Sequence, residues 1–249
     1  MLARARGATV MAFRDQRRRP LVLIVLVLLP AYVITKSIAE TLSTPKQVGL
    51  PGGVVVTTTM KELHGAGMGG MVIGFAAALL GVFVMQSALQ ADRRLVVAGY
   101  RPGETVIARL GVLAAATAIV VAVSAVITAI NFTPASWAPL LVALVLLGLI
   151  YAGIGALAGA LLDKLAATYL MLFLVITDLG VVQSPMFRET PGPLAVLLPG
   201  YGPSRVMYDG AFSHSFNASS ELLLSLGWLA AVGAAVYFVL RRAVGSSDV

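Results

Sequence analysis

Six apolar stretches divide this chain, at 20–38, 67–89, 110–130, 138–162, 165–182 and 222–240. An apolar helix needs about 20 residues, at about 1.5 Å each, to cross a hydrocarbon core about 30 Å thick. Most of the six reach that length. Little else is compatible with such a pattern, because a spanning segment must satisfy its own backbone hydrogen bonds. The sequence therefore predicts an all-α integral membrane protein, organised over 1–249 as one transmembrane domain.

Charge placement orients it. Threading six spans puts the N-terminus, the 91–109 segment, the Asp163-Lys164 turn and the C-terminus on one side. That side holds thirteen of the 18 Lys and Arg, while Lys36, Lys46, Lys61, Arg188 and Arg205 fall opposite. Acids split five and five, with Asp178 left inside a span, so the net +7 is concentrated on one side. Cytoplasmic loops collect Lys and Arg, which predicts a multi-pass protein of the cell (plasma) membrane with both termini cytoplasmic. Positive charge can also signal nucleic acid, but these residues sit at helix ends, where they orient the protein; no nucleic-acid partner is expected.

At 59% hydrophobic and 12% charged, the chain leaves too little polar sequence for a soluble domain. The longest polar-leaning segments are 39–66 and 183–221, both on the outer side. There are no cysteines, which excludes disulfides and thiolate metal sites. The first apolar run is span-length with no small-residue cleavage site after it, and reads as a retained helix.

Residues 1–19 interleave Val10, Met11 and Phe13 with arginines. They read as an interfacial helix against the membrane lipids, or alternatively as a basic tail. Pro20 suits a helix start. Pro30 predicts a kink in the first span, and Lys36 can snorkel to water. The 39–66 segment, with its β-branched run 54–59, predicts a short external hairpin. Gly70 and Gly74, and likewise Gly155 and Gly159, are four apart, giving small-residue faces for close helix contact. They fit packing within the chain or an interface with a second subunit. After the fifth span, prolines and glycines surround 194–198, which is apolar but too short to cross. Such a segment predicts a re-entrant or interfacial hairpin within 183–221, the alternative being a loop packed on the span ends.

No phosphate-binding loop of the G-x-x-x-x-G-K-[ST] type appears, and neither does HExxH or a G-x-S-x-G elbow. His64 and His214 lack ligand spacing. No catalytic residue and no metal site is therefore expected, nor any cofactor held by this chain. Asp178 is the one intramembrane acid, and such a group is a functional candidate by default. Near a span end it can instead bond to loop backbone or to Arg188.

The order of parts resembles the permease subunit of ATP-binding-cassette (ABC) exporters of the type-2 class, over essentially the whole chain. The parts that carry the resemblance are the basic element at 13–20 and the proline-kinked first span. With them go the cytoplasmic run Asp92-Arg93-Arg94 followed by the apolar 95–98 and Gly99-Tyr100-Arg101-Pro102, and the segment 194–205 before the last span. The resemblance implies six transmembrane helices, an N-terminal amphipathic helix, a cytoplasmic coupling helix within 91–109 and an external re-entrant segment. It also implies two separate cytoplasmic ABC ATPase subunits carrying ATP and magnesium, a second permease subunit in a homo- or heterodimer, and export of a small lipophilic or amphipathic substrate. Arg93, Arg94, Tyr100, Arg101, Glu104 and Arg109 are then the residues at the ATPase contact. This chain departs from the family in lacking a Gly-Thr-containing run before the loop helix. Two other readings remain: a self-contained ion-coupled transporter relying on Asp178, and a non-transporting membrane assembly subunit.

Overall fold

The computed structural model describes residues 20–97 and 102–245. The expected interfacial helix at 1–19 lies outside these residues, as do Tyr100 and Arg101. Helix α1 (Pro20–Glu40) runs unbroken through the buried Pro30. At its end Lys36 pairs with Glu40 at 3.2 Å, an exposed contact. Strands β1 (Pro45–Gly49) and β2 (Val55–Thr59) form an antiparallel hairpin that pairs Pro45 with Thr59 and Val48 with Val56. This hairpin is a β element within a fold otherwise built of helices. Its turn carries Gly52 and Gly53, each at φ 77°, a left-handed conformation that residues with a Cβ rarely adopt.

The hairpin feeds directly into α2 (Met60–Val97), a helix of 38 residues. A reciprocal cap explains its start. Glu62 accepts from the Thr59 backbone N–H at 3.0 Å, and the Thr59 hydroxyl accepts from the Glu62 N–H at 3.2 Å. Four more long elements follow: α3 (Pro102–Asn131), α4 (Trp137–Leu161), α5 (Lys164–Val175, widening into a π-helical stretch at Ile176–Val182) and, after two shorter pieces, α7 (Ser219–Gly245). The shorter pieces are a 3₁₀ turn at Pro193–Leu197 and helix α6 (Tyr201–Phe212). Asp163 caps α5, accepting from the N–H groups of Leu165 and Ala166 at 2.9 and 3.0 Å.

Among the described residues, five helical stretches are long and apolar enough to cross a membrane: Met60–Gln86, Val106–Asn131, Trp137–Leu161, Lys164–Val182 and Ser219–Arg242. The fold is thus mostly helical and has the make-up of a membrane protein. Burial ranks the five. The apolar windows of α2 and α4 are 72% and 67% buried, against 33%, 28% and 17% for α3, α5 and α7. So α2 and α4 form the centre and the other three flank it. The flanks expose large apolar side chains such as Ile119, Val126, Tyr169, Phe173, Leu223 and Phe238, as lipid contact requires.

The central pair is held by small residues. Side chains added at Gly155 and Gly159 would meet the backbone carbonyls of Ala78 and Val82, and one at Gly81 the carbonyl of Ala152. Contacts rise together along both helices, Gly148 with Ile73 and then Gly155 with Ala78, so α2 and α4 run parallel. Gly70 faces Met207 and Leu147, and Gly74 faces Leu179, Tyr151 and Val175. All four glycines singled out in the sequence therefore lie against this chain's own helices. The bundle has two ends. One carries the β-hairpin, the 132–136 link and the loop from α6 to α7; the other carries the Asp163-Lys164 turn, Arg241 and Arg242.

Candidate functional site

Helix α6 does not lie across the end of the bundle. Its far end hydrogen-bonds to the start of α4: Ala135 and Ser136 donate backbone N–H groups to the carbonyls of Ala211 and Gly210, at 3.0 and 2.8 Å. Its beginning lies deep in the bundle, beside Asp178. Gly67 meets Tyr208 and Gly70 meets Met207, so α6 runs antiparallel to α2. Residues 202–211 are all buried. The 193–212 segment thus enters the bundle and returns to the end it came from. Short helices of this kind survive at such depth only where their free backbone groups find partners in protein.

Asp178 supplies that partner. Fully buried, it accepts hydrogen bonds from the Tyr151 hydroxyl at 2.6 Å, the Gln183 amide at 3.0 Å and the Gly200 backbone N–H at 2.8 Å. Gln183 also donates to the Ala195 carbonyl at 3.2 Å, tying the 3₁₀ turn into the same network. Gly200 is the N-cap of α6, so the carboxyl group sits at the positive end of that helix. A side chain at Gly200 would collide with Asp178 and Leu179, so this close approach requires glycine. The π-helical stretch bearing Asp178 widens α5 at this point. Arg188 is exposed and is not among the partners of Asp178.

A second polar group fastens the hairpin end. Arg205, also on α6 and nearly buried, donates from Nη1 to the carbonyl of Gly49 at the end of β1. The Gly49 N–H donates to the Glu189 carbonyl at 3.0 Å. One turn further along α6, buried Asp209 accepts from the Asn217 N–H at 2.9 Å. Burial holds the Asp209 carboxyl above the ordinary carboxylate range, and the nearby Glu221 charge adds to this, against bonds donated by Asn217 and Ala218. The hairpin, the 183–192 link and the start of α7 are all moored to α6.

A third feature lies along α3. Thr117, Ser124 and Thr128 are buried, and none of their hydroxyls has a hydrogen-bond partner. Thr128 sits beside Gly69 of α2 and Thr117 beside Gly148 of α4. The seam between α3 and the central pair is therefore polar and under-satisfied, unlike the glycine seam between α2 and α4.

Four of the six residues expected at a soluble partner, Arg93, Arg94, Glu104 and Arg109, lie by backbone at one end. Arg93 and Arg94 fall within the last turns of α2, beyond the apolar stretch that ends at 89. Glu104 and Arg109 fall in the first turns of α3. Helix α2 is described to Val97 and α3 from Pro102. Gly103 lies near the Tyr237 hydroxyl, so the start of α3 meets the far part of α7. Lys164 stands over the Phe83 ring at 5.2 Å, and the Gln86 amide donates to the Leu162 carbonyl at 3.1 Å, binding α2 to the turn between α4 and α5.

Sequence reasoning picked out Asp178 but not Tyr151, Gln183, Gly200, Arg205 or Asp209. A tyrosine amid the apolar run of 138–162 was the available signal for the first of these. Together these features define a helical bundle with the make-up of a membrane protein and a short buried helix that folds back within it. No protein-family model matches the sequence, and no curated protein matches it.

Proposed function

We propose that this chain is the permease subunit of an ATP-driven exporter of the ABC type-2 class, carrying a small lipophilic or amphipathic substrate out of the cell. In this reading α1 is a sixth span, α6 is a re-entrant helix, and both termini are cytoplasmic in the plasma membrane. The observation that carries it is the fold-back of α6, seated before the last span at the end opposite the basic helix tips. The family resemblance expects a re-entrant pair at that point in the chain.

The length of α2 adds support. At about 1.5 Å per residue its 38 residues extend about 57 Å, well beyond a hydrocarbon core of about 30 Å. Its last residues, Arg93 and Arg94 among them, would stand clear of the bilayer on the basic side. Two cytoplasmic ATPase subunits, holding ATP and magnesium, dock there against Arg93, Arg94, Tyr100, Arg101, Glu104 and Arg109. Nucleotide binding draws the ATPases together, and the tips of α2 and α3 pass that movement into this chain and a second permease subunit.

The test is coupling. Charge reversal at both Arg94 and Arg101 should lower substrate-stimulated ATP hydrolysis in the reconstituted complex while membrane insertion stays at the wild-type level. Unchanged coupling in that double variant, or purification with no nucleotide hydrolase attached, counts against the proposal. An ion-coupled transporter is the alternative that Asp178 raises; it predicts transport in vesicles without ATP.

A further inference from the structure

At the hairpin end of the bundle, a groove of about 390 Å³ opens between the start of α4, the side of α6 and the start of α7. That volume falls in the range of roughly 300–1,000 Å³ common for small-molecule sites. Its lining is mixed at the end of the bundle, where Ala138, Pro139 and Phe216 stand among polar residues, and apolar deeper in. Ser136 precedes α4, and Ser213, His214 and Ser215 form the loop after α6. These polar residues make one edge. Deeper along the same helices the lining turns apolar. Val142 lies six residues into the bundle from Ser136, about 9 Å along α4, and Val206 lies at a similar distance from the end of α6. Leu222, in the first turn of α7, closes the groove on its third side near the rim.

The groove is open sideways. Val142 is 44% exposed and Phe216 47%, although Val206 behind them is fully buried. Leu226, one turn beyond Leu222 on the same face of α7, is also exposed, so the mouth continues onto a surface that lipid would cover. The rim keeps its shape through its own bonds. The Ser213 hydroxyl donates to the Ser215 carbonyl at 2.7 Å, and the Asn217 amide donates to the same carbonyl at 3.1 Å. Among the described residues, no Asp, Glu, Lys or Arg lines the site. It therefore selects by hydrogen bonding at one edge and by apolar contact below, with no fixed charge.

We infer that this groove seats one acyl chain of a lipid-class amphiphile, with an oxygen-rich, hydrogen-bonding head at the His214 rim. The change from a rim bearing hydroxyls and an imidazole to Val142 and Val206 below runs along the helices, as the polarity of a lipid runs along the bilayer normal. An aqueous solute would leave the apolar floor unmatched, and a fully apolar one would leave the rim unmatched. The inference shares with the proposed function only the placement of the bundle in lipid; no ATPase enters it.

The full-length protein is reconstituted in phosphatidylcholine vesicles containing a trace of phosphatidylcholine with a photoreactive diazirine on one acyl chain. After illumination, adducts are mapped by mass spectrometry. They should concentrate on 136–142 and 213–222 in excess of those on the lipid-facing Leu170 and Phe173 of α5. Val142→Trp, which fills the groove from its exposed wall, should lower the groove adducts several-fold and leave those on α5 unchanged. Ala138→Phe, at another exposed position, is the second filler if Val142→Trp does not fold. His214→Ala should narrow the difference in labelling between choline-headed and glycerol-headed probes. Adducts spread evenly over all lipid-facing helices, or unaffected by either filler, would overturn the inference. Such a failure with coupled ATP hydrolysis intact would remove the groove alone, whereas groove labelling without any ATPase would leave the site standing and the proposed function in question.

Discussion

At the scale of single residues, Asp178 acts as the anchor of α6. Its carboxyl group takes one hydrogen bond from each of α4, the end of α5 and the start of α6. Buried donors left without an acceptor cost about 1–3 kcal/mol each. Asp178→Ala strands the Tyr151 hydroxyl and the Gly200 N–H, while Gln183 keeps the Ala195 carbonyl. It should therefore lower unfolding stability in detergent by at least about 2 kcal/mol, and Tyr151→Phe by only about 1 kcal/mol. A loss confined to transport, with Asp178→Asn melting like the wild type, would instead favour the ion-coupled alternative. Asp178 was conspicuous in the sequence because an acid in an apolar run is rare. Its partners were not, because Gly200 comes 22 positions later and meets it only once the chain folds back.

At the scale of helices and strands, hydropathy located the apolar segments well because the bilayer demands it. The expected spans at 110–130, 138–162 and 165–182 each lie inside the apolar window of a helix or overrun it by a single residue. Ends were read less well. The second span was expected to start at 67, yet α2 begins at Met60. The signal was present as Thr59-Met60-Lys61-Glu62, a Thr-x-x-Glu capping box, obscured by the glycines that follow it. The loop expected at 91–109 is mostly helix because nothing in 91–97 breaks one. Glycine spacing showed that close contact would occur but not with what. The seam it makes between α2 and α4 gives a paired prediction. Gly155→Ala forces a methyl group onto the Ala78 carbonyl and should cost about 1–3 kcal/mol of stability, as overpacking does. Gly227→Ala and Gly233→Ala on α7 meet nothing and, since alanine favours a helix over glycine, should not lower the melting temperature.

At the scale of the whole molecule, charge separation and the direction of the helices converge. Arg241, Arg242 and Lys164 lie at one end, and the hairpin, His214 and the 183–192 link at the other. The absence of cysteine makes the orientation directly measurable. Single cysteines placed at His214 and at Ser246 should react with a membrane-impermeant thiol reagent from opposite sides of intact cells, His214→Cys from outside and Ser246→Cys only after permeabilisation. Labelling of both from outside would contradict the positive-inside orientation on which the proposed function depends. That Lys164, Arg241 and Arg242 share one end was legible from the sequence, because it follows from counting the apolar segments between them. The inward seat of α6 was legible only as an expectation, since its depth depends on contacts with Asp178, Gly70 and Leu140 that no local pattern encodes.

The parallel α2–α4 column has a mechanical corollary. Two helices whose backbones touch without intervening side chains have no soft layer in which to slip, so the pair resists shear and moves as one stiff beam. Helix α6 is lodged against both members toward one tip, and the turns of α2 that carry Arg93 and Arg94 form the other. A displacement applied at those turns would therefore reach α6 as tilt, magnified by the length of the lever, and would not dissipate as bending on the way.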